Sequence, residues 1–187
     1  NAEFKDVLAM DTDYTRNNIA GYSNELVREE ISEEAICGSL PSGINPTTYS
    51  TPSFTVKEYI NDGYKIDLGG RILEVLSTPG HTPDAISLLD INLGLLWVGD
   101  IYYEGPIWLF VPETDLDEFY NSVNSLCNIV PHLSTLYTAH NSPIAQPQSL
   151  YALKKALINI KNGTITGKAI SGGRIEYFFQ GFSLIIK

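Results

Sequence analysis

The chain has 187 residues, 43% hydrophobic and 18% charged, which is the balance of an ordinary globular protein with enough length for a core of its own. Twelve Lys and Arg against 22 Asp and Glu give a formal net charge of −10. That argues against nucleic acid as the main partner, because phosphate backbones need clustered cations, and no apolar run approaches a membrane span.

Residues 3–10 predict a short strand, and residues 11–23 are polar and turn-rich. Asn24–Ile31 and Ser32–Ile36 predict one or two short helices with acidic first turns, which suits the helix dipole. Residues 38–54 form a long connection rich in Ser, Pro, Thr and Gly. From Thr55 onward β signals dominate. Strands are expected at Thr55–Ile60, Tyr64–Leu68, Ile72–Ser77, Ala85–Leu89 and Leu95–Val98, separated by Asn61-Asp-Gly63, Gly69-Gly70 and the short turn from Asp90 to Gly94. Residues 115–130 predict a helix with one apolar face, opened by a capping box of Thr114 and Asp117 and stopped by Pro131. A strand is expected at Leu133–Ala139. A second helix runs from Gln148 to Lys161, with Gly163 just past its end. Two hairpins close the chain: 164–170 with 174–179, then a turn at Gln180-Gly181 into Phe182–Ile186.

Three of these strands end alike. Ile72–Ser77 leads into Thr78-Pro-Gly-His81-Thr-Pro-Asp84, Leu95–Val98 into Gly99-Asp100, and Leu133–Ala139 into His140. Each delivers one metal-competent side chain at a strand end. The tight 90–94 turn makes its flanking strands antiparallel. If 72–77 also pairs antiparallel with 85–89, His81 and Asp100 emerge at the same sheet edge. His, Asp and His suit a zinc or iron hydrolase. The remaining histidine, His132, follows Pro131 at a helix end and has no such context. Cys37 and Cys127 lack the spacing of a metal or redox motif and are read as reduced, buried thiols.

The stretches TPGHTPDAISLLD, GLLWVGDIYYEGP and LYTAHNSP resemble, in order and wording, the metallo-β-lactamase superfamily. Asp rather than Cys after Gly99 places the resemblance with its glyoxalase-II-like and lactonase-like hydrolases. The resemblance implies an α/β fold, the αββα sandwich, with the second sheet complete and the first partial. It implies that His81 belongs to one metal site, that Asp100 bridges two metals and that His140 belongs to the other. The two ions would be zinc, and a bridging hydroxide would attack the substrate. It also implies that Tyr103 faces the site and hydrogen-bonds the substrate carbonyl or its oxyanion.

The superfamily's H-x-H-x-D-H motif has no counterpart here, since no histidine precedes His81. The chain is therefore read as a single domain, 1–187, lacking the family's N-terminal portion, with Asn1-Ala2 as a possible tag remnant. The expected parent is a cytoplasmic, metal-dependent hydrolase of a small-molecule ester, lactone or thioester. This chain alone is expected to be inactive, to bind zinc weakly and to form a homo-oligomer through its uncovered sheet. The alternative is a non-catalytic domain of the same fold that acts in binding or assembly.

Overall fold

The computed structural model describes residues 4, 6–28, 30–32, 35–36 and 38–187. Cys37, Glu29 of the expected first helix, and Glu33 and Glu34 of the expected second, lie outside the described residues, as do Asn1, Ala2, Glu3 and Lys5. The chain divides into two compact units, Asn1–Ile60 and Asn61–Lys187.

In the first unit, β1 (Leu8–Met10) is followed by α1 (Asp13–Ala20), α2 (Asn24–Val27) and β2 (Glu58–Ile60), and β1 pairs parallel with β2. The segment 11–23 is thus largely helical and not merely turn-rich. Thr12 caps α1, its hydroxyl accepting from the Thr15 N–H at 3.0 Å, and the chain leaves the helix at Gly21. Only Thr15 and Ile19 of α1 are buried, so its apolar periodicity is faint. The helix expected to reach Ile31 stops at Val27.

The second unit holds β3 (Lys65–Asp67), β4 (Ile72–Ser77), β5 (Ile86–Asp90), β6 (Leu95–Trp97), β7 (Gly105–Leu109), α3 (Leu116–Ile129), β8 (Thr135–Tyr137), β9 (Ile144–Ala145), α4 (Ser149–Lys161), β10 (Lys168–Ile170), β11 (Arg174–Phe178) and β12 (Phe182–Ile186). These form a six-stranded sheet, β3-β4-β5-β6-β8-β9, and a four-stranded sheet, β10-β11-β12-β7. Both are mixed: β6–β8 and β12–β7 are parallel and the other pairs antiparallel. The expected α/β class with mixed sheets is what the structure shows.

Leu89, Leu96 and Leu136 stand in register across β5, β6 and β8. They share one apolar core with Phe119 and Val123 of α3 and with Leu150 and Leu153 of α4. Ile107 of β7 and Leu184 of β12 join the same core. Burying each such side chain contributes about 1.5–3 kcal/mol. Cys127 lies in this core, and burial pushes its thiol above the ordinary range, which keeps it protonated and unreactive. His132 is exposed.

Two details depart from expectation. Asp115, not Thr114, caps α3, its carboxylate accepting from the Asp117 and Glu118 N–H groups at 2.9 Å each. Thr114 is turned toward the loop that carries His81, as described below. β7 and β9 are strands that the sequence pattern does not announce. β7 opens with Gly105-Pro106, a pair that reads as a turn, and its proline is tolerated because β7 is an edge strand.

At the end of β5, the Asp90 carboxylate is 1% exposed and 2.6 Å from Arg71 Nε. The Arg71 hydrogen bond holds the Asp90 carboxyl below the usual carboxylate range, and N–H groups of the following turn add to this against the cost of burial. A carboxyl depressed in the folded state stabilises fully above its unfolded pKa, about 3.9, and loses that contribution as pH falls through the folded value. The urea midpoint is therefore expected to drop below about pH 4. Asp90→Asn is expected to flatten that drop, and an unchanged acid profile in the variant would refute the assignment.

Candidate functional site

The strand directions bring the three sequence-selected residues to one edge. β4 and β6 flank β5 antiparallel on either side and so run the same way, and β8 runs parallel to β6. Trp97 and Tyr137 are register partners, and Asp100 and His140 each lie three residues beyond them. His81, Asp100, Tyr103 and His140 line one cleft of about 350 Å³ together with Pro106, Trp108 and Asn141. A larger cleft, about 500 Å³, lies between α3 and α4, but among the described residues its lining offers no imidazole and its one cation, Lys161, is paired with Asp117 at 2.7 Å. The smaller cleft gathers the chemistry.

His81 is held through its backbone and its ring. The Asp115 N–H donates to the Gly80 carbonyl at 2.9 Å, the Ser122 hydroxyl to the Pro79 carbonyl at 2.7 Å, and the Thr114 hydroxyl to the His81 carbonyl at 3.2 Å. The loop is thereby tied to the first turns of α3. The His81 Nδ1 lies 2.9 Å from the Trp108 carbonyl oxygen. A carbonyl only accepts, so Nδ1 carries the proton and Nε2 keeps its lone pair for a ligand.

His140 is arranged differently. Its Nε2 lies 2.9 Å from Asp100 Oδ1, with side-chain exposures of 59% and 36%. A carboxylate only accepts, so this nitrogen donates and the pair is closed on itself. The pair is too exposed to contribute more than about 1 kcal/mol to stability.

Tyr103 is buried and its ring meets the His140 ring edge-on, at a centroid distance of 4.9 Å and an angle of 76°. Its hydroxyl accepts from the Trp108 N–H at 3.4 Å, which leaves the phenolic proton to donate elsewhere. Burial pushes the phenol above its ordinary pKa, and the Asp100 charge adds to the shift. Tyr103 is therefore a protonated donor at neutral pH. Trp108 is bound through its N–H by Tyr103 and through its carbonyl by His81, so two site residues cap the edge of β7. Tyr102 belongs to the core, edge-on to Phe182 at 5.6 Å.

No family model matches the sequence. The human acyl-coenzyme A thioesterase MBLAC2 is 31% identical over 71 residues, 38% of this chain and 25% of that protein. The metallo-beta-lactamase family protein TTHA1429 from Thermus thermophilus superimposes with a TM-score of 0.55 at 18% identity, covering 86% of this chain and 55% of that one. The chain has the metallo-β-lactamase fold. TTHA1623, solved in a di-iron-bound form, shares that fold with a TM-score of 0.52 at 18% identity, over 79% of this chain and 62% of that one. The chain thus spans a quarter of its curated relative and a little over half of these metallo-β-lactamase-fold neighbours.

Metal-competent donors are present in part. Among the described residues no group of three or more His, Cys, Asp or Glu side chains is placed to hold a metal ion. His81 offers a bare Nε2, while His140 and Asp100 engage each other. A catalytic zinc takes three protein ligands, and two ions need more. This donor set fits a share of a metal centre and not a whole one. Asn141 and Pro106 also line the cleft; both lie within the stretches that carry the family resemblance, but the sequence alone assigns neither of them a site role, and the signal for Asn141 is its place directly after His140.

Proposed function

We propose that the protein hydrolyses a small-molecule ester, lactone or thioester, with the thioester favoured by the match to an acyl-coenzyme A thioesterase. In this reading His81, Asp100 and His140 are metal ligands, Tyr103 is the substrate-binding residue, and zinc is the metal, with iron the alternative suggested by a di-iron neighbour. The observation that carries the proposal is the convergence of two imidazoles, a carboxylate and a buried phenol in one cleft of a metallo-β-lactamase fold. The missing ligands come from outside this donor set, because the remaining histidine, His132, does not line the cleft.

The roles of this chain's own groups follow from their hydrogen bonds. His81 is held in one tautomer by the Trp108 carbonyl, and Asp100 sets the negative charge at the cleft. Tyr103 offers a proton to a carbonyl oxygen as negative charge develops on it, a contact worth most when the donor is already in place. The net charge of −10 weighs against a nucleic-acid substrate. A cytoplasmic location and self-association complete the proposal. No helix among the described residues is long and apolar enough to cross a membrane.

Acyl-coenzyme A thioesters, lactones and simple esters should be assayed with the 187-residue chain and with the longest product of its gene. The chain is expected to show background turnover and to lose zinc on dialysis. The longer product is expected to hold metal and to lose activity to a chelator. Two tightly held ions on the chain alone would overturn the donor accounting. A metal-loaded longer product inert on all three substrate classes would overturn the hydrolase reading in favour of a binding role.

A further inference from the structure

His140 lies beyond the end of β8, in the loop to β9, and its side chain is 59% exposed, so burial does not fix it. Its ring is nonetheless set between Asp100 and Tyr103. The residues that follow it carry the explanation. Asn141 is the one non-glycine with positive φ, 60°, among the described residues. That left-handed conformation is costly for most side chains and tolerated best by Asn and Asp. The Asn141 side-chain Nδ2 donates to the Glu104 carbonyl. A Cβ built on Gly105, whose own φ is 101°, would stand 2.7 Å from that nitrogen, so the glycine leaves the room the amide occupies.

Two further contacts close the loop. The Ser142 hydroxyl donates to Glu104 Oε2 at 2.5 Å. The Thr138 hydroxyl is shared between the Ser142 carbonyl and, at 3.3 Å, the His140 carbonyl. Glu104 directly follows Tyr103 in the chain. The staple therefore joins the backbone on either side of the His140–Tyr103 ring contact.

We infer that Asn141, bound to Glu104 and seated on Gly105, is a positioning residue that sets the His140 imidazole against Asp100 and Tyr103. This rests on the reading of His140 as a site residue. Ser142 is the second tie of the same staple.

The test is nuclear magnetic resonance on the 187-residue chain. Asn141→Gly keeps the positive φ and removes the amide donor, while Asn141→Asp keeps the shape and puts a carboxylate where the Glu104 carbonyl needs an N–H. Neither change opposes the backbone conformation, so both variants are expected to fold. The readout is the set of cross-relaxation peaks between the His140 and Tyr103 ring protons. The internal reference is the Trp97–Tyr137 stack, with ring centroids 4.9 Å apart. In both variants the His140–Tyr103 peaks are expected to be lost while the Trp97–Tyr137 peaks persist. Retention of the His140–Tyr103 peaks at parental strength in either variant would overturn the inference. The readout needs neither substrate nor metal, so a failed hydrolase assay leaves it standing, and a failed cross-peak result leaves the hydrolase reading standing.

Discussion

On the proposed hydrolase reading, Asp100→Asn, introduced into whichever form of the protein turns substrate over, is expected to bring hydrolysis to background, a loss of about 10³-fold or more. The change is nearly isosteric, so its effect is electrostatic. It removes the carboxylate charge from the cleft and replaces the acceptor of the His140 Nε2–H, 2.9 Å away, with a neutral amide oxygen. It also removes the only carboxylate among the described side chains that line the cleft. The folded state should barely notice, because the Asp100 side chain is 36% exposed and its contact with His140 contributes little. The unfolding free energy is expected to stay within about 0.5 kcal/mol of the parent. Loss of turnover with retained stability therefore separates a site role from a structural one. A variant that turns substrate over at the parental rate would remove Asp100 from the mechanism.

The legible parts of this chain are those where local chemistry and tertiary packing agree. β4 falls at Ile72–Ser77 as expected, because an apolar run between Gly70 and Pro79 has little else to become. The antiparallel pairing of β5 with β6 follows from the short 90–94 turn, and the antiparallel pairing of β4 with β5, which the sequence leaves as a condition, completes the arrangement that places His81 and Asp100 at one edge. His140 reaches the same edge only because β8 pairs parallel with β6. That pairing joins strands separated by the whole of β7 and α3, and no local pattern specifies it. β7 is hidden for a related reason. Its Gly105-Pro106 start reads as a turn, and the strand exists because β12 lies beside it and because Tyr103 and His81 cap its open edge at Trp108. The α3 cap is ambiguous between neighbours: Thr114 and Asp115 are both capping residues, and the contact of Thr114 with the His81 carbonyl decides which of them serves the helix. Tautomers lie furthest from sequence. Which nitrogen of His81 is bare depends on a carbonyl 27 positions away.

Gly80→Ala is expected to be the most damaging single change to the fold of the second unit. Gly80 is buried with φ 126°, a region that side-chain-bearing residues rarely adopt. A Cβ there would lie 2.2 Å from the Phe119 nitrogen, 2.3 Å from its Cα and 2.6 Å from its Cβ. Two of these atoms are helix backbone, so no rotamer change relieves the contact; α3 and the loop must move apart. Strain at such a φ costs about 1–3 kcal/mol, and overpacking costs about 1–3 more. Separation also weakens the hydrogen bonds from Asp115 N–H to the Gly80 carbonyl and from Ser122 to the Pro79 carbonyl. The total is about 4 kcal/mol, which for a chain of this size lowers the Tm by about 10 °C. Ser122→Ala provides the comparison, because it removes one tie without touching the close approach, and it is expected to cost about 1 kcal/mol. Since the Thr114 contact to the His81 carbonyl spans the same seam, Gly80→Ala should also release His81 from the Trp108 carbonyl. Calorimetry that found Gly80→Ala melting no lower than Ser122→Ala would show that α3 does not hold the loop, and the account of how His81 is positioned would fall with it.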